Sequence, residues 1–146
     1  MSRRYAQGKF TIKNPEKYVG KHQPTYRSGW EFKFMSFCDN NPHIIKWASE
    51  AVKIPYKDPF TGRGTVYVPD FFIQYIDKNG KMNTELIEVK PANQTIKEQV
   101  GKNRNNQIQF AKNQYKWRAA YEWCNKNGVK FRILTENELF HNGSAR

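Results

Sequence analysis

The sequence has 146 residues, with 25 Lys or Arg against 13 Asp or Glu and a net charge of +12. This length suits one domain with one core, and the charge favours a polyanionic partner, above all nucleic acid, with acidic protein surfaces as the alternative. We expect no transmembrane helix and no signal peptide, and Cys38 and Cys124 lack the spacing of a zinc ribbon, so they are expected to be reduced core residues.

Residues 1–24 are predicted to form an irregular basic arm. Its cations are spread among Gly and Pro: Arg3, Arg4, Lys9, Lys13, Lys17 and Lys21. We expect Phe10, Ile12 and Tyr18 to hold the arm against the domain. Scattered cations of this kind are typical of phosphate contacts, which position a protein on DNA without reading its sequence.

The first helix is predicted to begin at Ser28, because Ser28-Gly29-Trp30-Glu31 has the spacing of a capping box. It is expected to end near Cys38 or Asp39, before the helix-breaking segment Asn40-Asn41-Pro42. A first strand is then predicted from Ile44 to Tyr56, with a polar interruption at Ser49-Glu50.

Two further strands follow the loop Asp58–Gly64. The first carries Asp70 and runs to Ile76, and the second runs from Lys81 to Val89. The Asn-Gly pair between them is a strong hairpin signal, and Pro91 ends the return strand because it lacks a backbone donor.

The last third of the chain begins with a connector rich in Gln, Asn and Lys, in which Thr95 to Val100 is a candidate helical turn. A long helix is predicted from Asn106 to Asn127, and its apolar residues on two faces predict packing between layers. A strand from Val129 to Leu134 and a helical turn capped by Thr135 complete the order. The order α-β-β-β-α-β predicts an α/β fold with a mixed sheet flanked by helices.

The hairpin brings the chemically suggestive residues together. Glu88 and Lys90 share one face of their strand, and Asp70 on the neighbouring strand can converge with Glu88 on a divalent cation. A site with few carboxylates suits magnesium, with manganese as a substitute, and Lys90 could reach an attacking water. An unremarkable surface pair is the alternative, since short motifs need structural context.

These residues resemble the PD-(D/E)XK nuclease signature, and the element order resembles the restriction-endonuclease-like fold. The segment Tyr26–Glu31 resembles the first-helix motif of phage Holliday-junction endonucleases and of transposon end-cleaving nucleases. Within this superfamily, the chain is similar to the head-completion nucleases of contractile-tailed phages, through segments that include Gly8–Pro15, Trp30–Met35 and Lys116–Ala120. The resemblance implies a metal-dependent DNA endonuclease that acts in head completion and DNA packaging.

The resemblance also implies roles for individual residues. The implied metal ligands are Asp70, Glu88, the backbone carbonyl of Val89, and Glu31, with Lys90 as the further catalytic residue. Lys116 is implied in the same way to lie near the scissile phosphate. The other expected DNA contacts, taken from their positive charge, are Arg3, Arg4, Lys9, Arg27 and Lys112. For Glu31 the alternative is a capping role toward the backbone of Ser28. Glu50 is the rival third carboxylate or a solvated edge residue, and Gln114 lies near the scissile phosphate or on a polar helix margin.

Partners and location are expectations of the same kind. DNA is the expected partner, with phage portal or neck proteins as further candidates, and the expected location is the host cytoplasm or the virion head. Two alternatives to the head-completion nuclease stay open. One is a non-catalytic head or neck protein that binds portal and DNA, and the other is a junction-resolving nuclease that works as a homodimer.

Overall fold

Four strands that are separated along the chain pair into one mixed sheet in the computed structural model, which describes residues 7–96 and 100–138. The elements in chain order are β1 (Gly8–Lys9), β2 (Thr25–Tyr26), α1 (Gly29–Asn40), β3 (Ile44–Ser49), β4 (Ile54–Lys57), β5 (Gly64–Tyr67), β6 (Phe71–Ile76), β7 (Met82–Val89), α2 (Arg104–Lys126) and β8 (Lys130–Leu134). A single 3-10 turn, Ala92–Gln94, follows β7.

The main sheet has the spatial order β3-β6-β7-β8. The first two pairings are antiparallel, and β8 joins β7 in parallel after the α2 crossover. Taken with the helices, the sheet strands follow the chain order α1-β3-β6-β7-α2-β8. The predicted α-β-β-β-α-β order and the α/β class are therefore confirmed.

The predicted hairpin between β6 and β7 is also confirmed. Gly80 has a φ of 78°, a left-handed conformation that glycine adopts at little cost, and the side chain of Asp77 accepts from the backbone N–H groups of Asn79 and Lys81. The turn sets the register in which Phe71 lies opposite Ile87.

The two helices cover opposite faces of the sheet. On one face, Phe34, Met35 and Cys38 of α1 pack with core residues that include Trp47, Phe71, Ile73, Ile87 and Val89. On the other face, Trp117, Ala120 and Cys124 of α2 pack with Leu86 and with the small hairpin. Both cysteines are free and buried, as predicted. None of the helices in the described part of the chain is long and apolar enough to cross a membrane.

Packing of α2 between two layers is a prediction that is wrong. Its buried side consists of Asn113, Trp117, Ala120 and Cys124, while Tyr115 and Tyr121 are 51% and 59% exposed. The helix packs against the main sheet and the β4–β5 hairpin on its buried side and leaves Tyr115 and Tyr121 to solvent. Aromatic side chains on both faces of the sequence pattern suggested burial on both sides, which these two tyrosines do not have.

The predicted strand from Ile44 to Tyr56 is two strands in different sheets. β3 belongs to the main sheet, and β4 pairs with β5 in a separate antiparallel hairpin. The chain turns between them at Glu50, which has a φ of 52°, and the Glu50 N–H donates to the backbone oxygen of Asp70. This local turn redirects β4 away from the sheet.

The described part of the N-terminal arm packs on the domain. Phe10 is buried in the core beside Trp47, and Ile12 and Tyr18 pack against the same cluster, as expected. The buried carboxylate of Asp39 accepts hydrogen bonds from the backbone N–H groups of Lys13 and Asn14. The segment is irregular apart from β1, which pairs with β2, and an isolated parallel bridge between Tyr18 and Trp47 of β3. Of the predicted connector turn, residues 97–99 lie outside the described residues, and the ordered turn before them is Ala92–Gln94.

Candidate active site

Asp70 and Glu88 face each other across two paired strands. Asp70 comes directly before β6 and Glu88 lies near the end of β7, one residue beyond the pair Phe71 and Ile87. Side chains alternate along a strand, so both carboxylates point to the face that α2 covers. Glu88 is 7% exposed, whereas Asp70 is partly exposed at the strand end. The fold therefore brings together the two carboxylates that the sequence motif predicted.

The carboxylate of Asp70 is held by the opposite strand. Its Oδ2 accepts a 2.8 Å hydrogen bond from the backbone N–H of Val89. No described residue donates a hydrogen bond to its Oδ1. One oxygen is thus anchored, and the other is available to a cation.

The carboxylate of Glu88 is held on both sides. Its Oε1 accepts a 2.6 Å hydrogen bond from the hydroxyl of Tyr67, and its Oε2 lies 3.5 Å from Nζ of Lys90. The contact with Lys90 confirms that Glu88 and Lys90 share one face of the strand end. The bond from Tyr67 connects β5 to the main sheet at the candidate site.

The two carboxylates are electrostatically unfavourable together when both are ionised. Burial, and then the charge of Glu88, raise the pKa of Asp70 to about 8, although the Val89 N–H opposes this shift. Burial also raises the pKa of Glu88 above its usual value, against the effects of Tyr67, Lys90 and Lys116. A divalent cation between them would relieve desolvation and repulsion at once. The pair thus has the chemistry of a cation site.

The donor set is small. Within residues 7–96 and 100–138, no group of three or more His, Cys, Asp or Glu side chains is arranged to hold a metal ion. Two carboxylates with open positions for water and phosphate oxygens still fit magnesium, which is commonly bound through one or two protein carboxylates and substrate phosphate. The residues present therefore fit a magnesium ion shared with substrate, and they do not form a closed protein cage.

Glu31 caps α1 in a way that differs from the predicted capping box. Oγ of Ser28 accepts from the Glu31 N–H at 3.1 Å, as predicted, but Oε1 of Glu31 accepts from the N–H of Arg27 at 2.9 Å and not from that of Ser28. Burial raises the pKa of Glu31, and the charges of Glu50 and Glu88 contribute in the same direction. Glu31 is thus a capping residue whose pKa is also affected by the charge of Glu88 in the candidate site.

Arg27 and Glu50 form an ion pair beside the site. The pair holds Glu50 at the turn after β3, where its side chain is 39% exposed, in agreement with its interpretation as a solvated edge residue. The side chain of Arg27 is 57% exposed and can still contact a phosphate. Hydrogen bonding to Glu50 raises the pKa of Arg27, which is charged in any case.

The other predicted DNA contacts lie on separate elements of the fold. Lys116 lies with its Nζ 6.0 Å from the ring centroid of Tyr67, and Lys112 is 3.9 Å from Asp58 and lies over the ring of Phe60. Lys9 on β1 and Gln114 on α2 are exposed. Arg3 and Arg4 lie outside the described residues. The DNA-binding roles of these residues stay predictions.

Sequence analysis missed Tyr67. Its hydroxyl reaches Glu88 because the β4–β5 hairpin folds over the main sheet, and its ring is buried with Trp117 and Leu86. In the sequence, the only signal is that Tyr67 comes three residues before Asp70. No spacing rule connects a tyrosine on β5 to a carboxylate on β7.

Two comparisons relate the chain to known nucleases. A family model described as "TnsA-like endonuclease N terminal" matches residues 41–136, a segment that contains Asp70, Glu88 and Lys90 but not Glu31. The chain is also 37% identical over 142 residues to a protein of Enterobacteria phage T4 named "Head completion nuclease", covering 90% of this chain and 92% of that protein. The chain therefore belongs to the TnsA-like endonuclease N-terminal family.

Proposed function

We propose that this chain is a divalent-metal-dependent DNA endonuclease that acts in phage head completion. The observation that carries the proposal is the Asp70–Glu88 pair with Lys90 at its side, a set in which two carboxyl groups converge at a strand end. Membership in an endonuclease family, the name of the phage T4 relative and the net charge of +12 support it. The host cytoplasm during assembly is the location that fits this role.

Asp70 and Glu88 would hold the metal, with the backbone carbonyl of Val89 as a further candidate ligand. Magnesium is the proposed ion, and manganese the proposed substitute, because both take oxygen ligands and leave positions for phosphate. When bound, such an ion supplies an acidified water and charge neutralisation on the phosphate.

The chain's own residues have distinct tasks around that site. The Val89 N–H fixes the orientation of Asp70, and Tyr67 fixes the orientation of Glu88. Lys90 holds its ammonium group where it can position the attacking water or meet a phosphate oxygen. Glu31 completes or orients the site from the start of α1, and the cations Lys9, Arg27, Lys112 and Lys116 hold the DNA backbone without reading sequence.

One assay tests the proposal. Purified protein is incubated with linear, nicked, branched and single-stranded DNA in magnesium, manganese or chelator, beside Asp70→Asn and Glu88→Gln proteins. We expect metal-dependent cleavage by the wild type and none by either variant, with unchanged circular dichroism spectra, because each variant removes charge and little volume. A fully active Asp70→Asn protein would contradict the assignment of the site.

The same assay separates the alternatives. If the folded wild type cuts no DNA form in either metal, a non-catalytic head or neck protein becomes the better explanation. Strong preference for branched DNA, together with a dimer in light scattering, would favour a junction-resolving nuclease. Portal or neck proteins as partners are a separate hypothesis, which co-purification with each candidate would test.

A further inference from the structure

Phe60 lies at the tip of the β4–β5 hairpin and is directed to solvent. It belongs to the loop between Lys57 and Gly64, the last paired residues of the hairpin, and it is 53% exposed. A single exposed apolar side chain is ordinary at a protein surface, and only its surroundings can give it a purpose. Two features of the surroundings do so here, namely the order of the tip and the charge beside it.

The tip is held in one conformation by Asp58. Oδ1 of Asp58 accepts a 2.8 Å hydrogen bond from the N–H of Phe60, and its backbone oxygen accepts another from the N–H of Gly62. Gly62 has a φ of 72°, and Pro59 restricts the backbone directly before Phe60. The ring therefore stands on a stiff support, which reduces the conformational entropy lost when the ring contacts a partner.

The surface around this tip is positively charged. Nζ of Lys112 lies 5.9 Å from the centroid of the Phe60 ring. The hairpin and the part of α2 beside it, residues 53–67 and 112–122, contain six Lys or Arg against two Asp or Glu. The six cations are Lys53, Lys57, Arg63, Lys112, Lys116 and Arg118. An aromatic ring among cations suits DNA, because the phosphates contact the cations while the bases contact the ring.

The hairpin connects this tip to the candidate active site. Tyr67, at the base of the hairpin, holds Glu88 through its hydroxyl, and it lies three residues from Gly64 along β5. Three strand residues span about 10 Å, and the loop extends beyond them. Successive nucleotides of a strand are about 3.4 Å apart, so DNA bound at the site would reach the ring about three to five base pairs from the cleaved phosphate.

We propose that Phe60 is an apolar wedge that inserts beside one base pair of the bound DNA, about three to five base pairs from the cut, and partly unstacks it. This role rests on the proposed endonuclease function and specifies how the substrate is held. Proteins that kink DNA use Phe and similar side chains in this way, and contacts with the bent duplex offset the cost of unstacking. The cations beside the ring supply such contacts. Base steps that unstack easily, such as TA, are the preferred sites.

Duplexes that carry the fluorescent base analogue 2-aminopurine at successive positions test this role. Stacking quenches 2-aminopurine, so its fluorescence rises where the wedge opens the stack. Binding is measured in calcium, which we expect to support binding but little cleavage, and the cut is mapped separately in manganese. We expect a rise confined to one base step, at about three to five base pairs from the cut. Phe60→Ala should abolish the rise and weaken binding about fivefold to a hundredfold, whereas Phe60→Trp should retain both.

Tyr121→Ala is the matched control for the loss of an exposed ring. Tyr121 is 59% exposed on α2 and does not line the groove between α2 and the hairpin. This variant should bind and unstack DNA as the wild type does, and both alanine variants should melt normally. Equal losses in the two variants, or a rise that persists in Phe60→Ala, overturn the role of Phe60. Normal DNA binding by Phe60→Ala with lost co-purification of a phage head protein would also overturn it and assign the ring to a protein partner.

The two proposals fail separately. If the wild type cuts no DNA in any metal, the endonuclease proposal falls, while fluorescence in the bound complex still decides the role of Phe60. If the wild type cuts DNA without a fluorescence rise at any position, the wedge is overturned and the endonuclease stands. A wild type that binds no DNA overturns both.

Discussion

The hydroxyl of Tyr67 donates a 2.6 Å hydrogen bond to Oε1 of Glu88, so the small β4–β5 hairpin supports the carboxylate at the centre of the candidate site. The ring of Tyr67 is 6% exposed and packs with Trp117 and Phe131. A buried tyrosine in a packed cluster has little freedom to move, and its hydroxyl therefore restricts the rotamers of Glu88.

Tyr67→Phe should weaken metal binding without unfolding the protein. The substitution keeps the ring and removes only the donor that orients Glu88, and loss of such outer partners typically costs about tenfold to a hundredfold in metal affinity. Calorimetric titration with manganese measures this change. Tyr75→Phe is the matched control, because Tyr75 donates a 2.5 Å hydrogen bond to Glu85, a buried carboxylate in the same sheet away from the site. Equal losses in both variants would assign the effect to the sheet as a whole.

Asp70→Asn should stabilise the metal-free protein at alkaline pH. The folded-state pKa of Asp70 is about 8, above the ordinary value of 3.8, so its ionisation opposes folding and stability is lost as pH rises between these values. The asparagine variant lacks this loss. Its advantage in melting temperature, measured in chelator, should therefore be absent near pH 4 and grow toward pH 8.

Asp77→Asn is the control for that series, because its effect on stability should depend on pH in the opposite direction. Hydrogen bonds from Lys81 and Asn83 lower the pKa of Asp77, so its charge supports the hairpin turn above the ordinary pKa and this support is lost in acid. Its variant should melt lower at neutral pH and match the wild type in acid. If Asp70→Asn also melts lower than the wild type at neutral pH and matches it in acid, the ionisation of Asp70 beside Glu88 does not oppose folding.

Glu31→Gln separates capping from catalysis. A glutamine oxygen can still accept from the Arg27 N–H, so a residue that only caps α1 predicts almost normal melting and normal activity. A role in the metal site predicts almost normal melting with a rate lower by about a hundredfold or more. Thermal melting and single-turnover cleavage on the same preparation decide between these results.

Deletion of residues 1–7 should make DNA binding less sensitive to salt. The deletion removes Arg3 and Arg4, and each lost phosphate contact lowers the slope of log affinity against log salt by about 0.9. We expect a change of about two units, with cleavage at saturating DNA retained. An unchanged slope would show that these two arginines do not contact DNA.

Lys90→Ala should have the reverse effect of the deletion: it should lower the cleavage rate and leave the salt dependence of DNA binding almost unchanged. Lys90 lies 3.5 Å from Glu88, so it acts on one phosphate or water at the site, and its loss should lower the cleavage rate while the salt slope barely changes. Lys130→Ala is a suitable control, because Lys130 is an exposed cation at the start of β8. Unimpaired turnover in Lys90→Ala would remove this lysine from the mechanism.

The sequence alone determined the features that depend on neighbouring residues. The Ser28 cap of α1, the turn at Gly80 and the end of α2 before Gly128 each follow from side chains within a few positions. These local rules also determined the convergence of Asp70 and Glu88, because a tight hairpin leaves its two strands one antiparallel register. The hairpin thus places the two carboxylates of the sequence motif side by side.

Only the tertiary structure decided which surfaces meet over long distances. Glu50 adopts a left-handed turn that sends β4 into its own hairpin, and no strand propensity indicates this. That hairpin brings Tyr67 to Glu88, while Tyr115 and Tyr121 of α2 stay exposed to solvent. Such contacts depend on the packing of segments far apart in the chain, whose combined burial outweighs local preference.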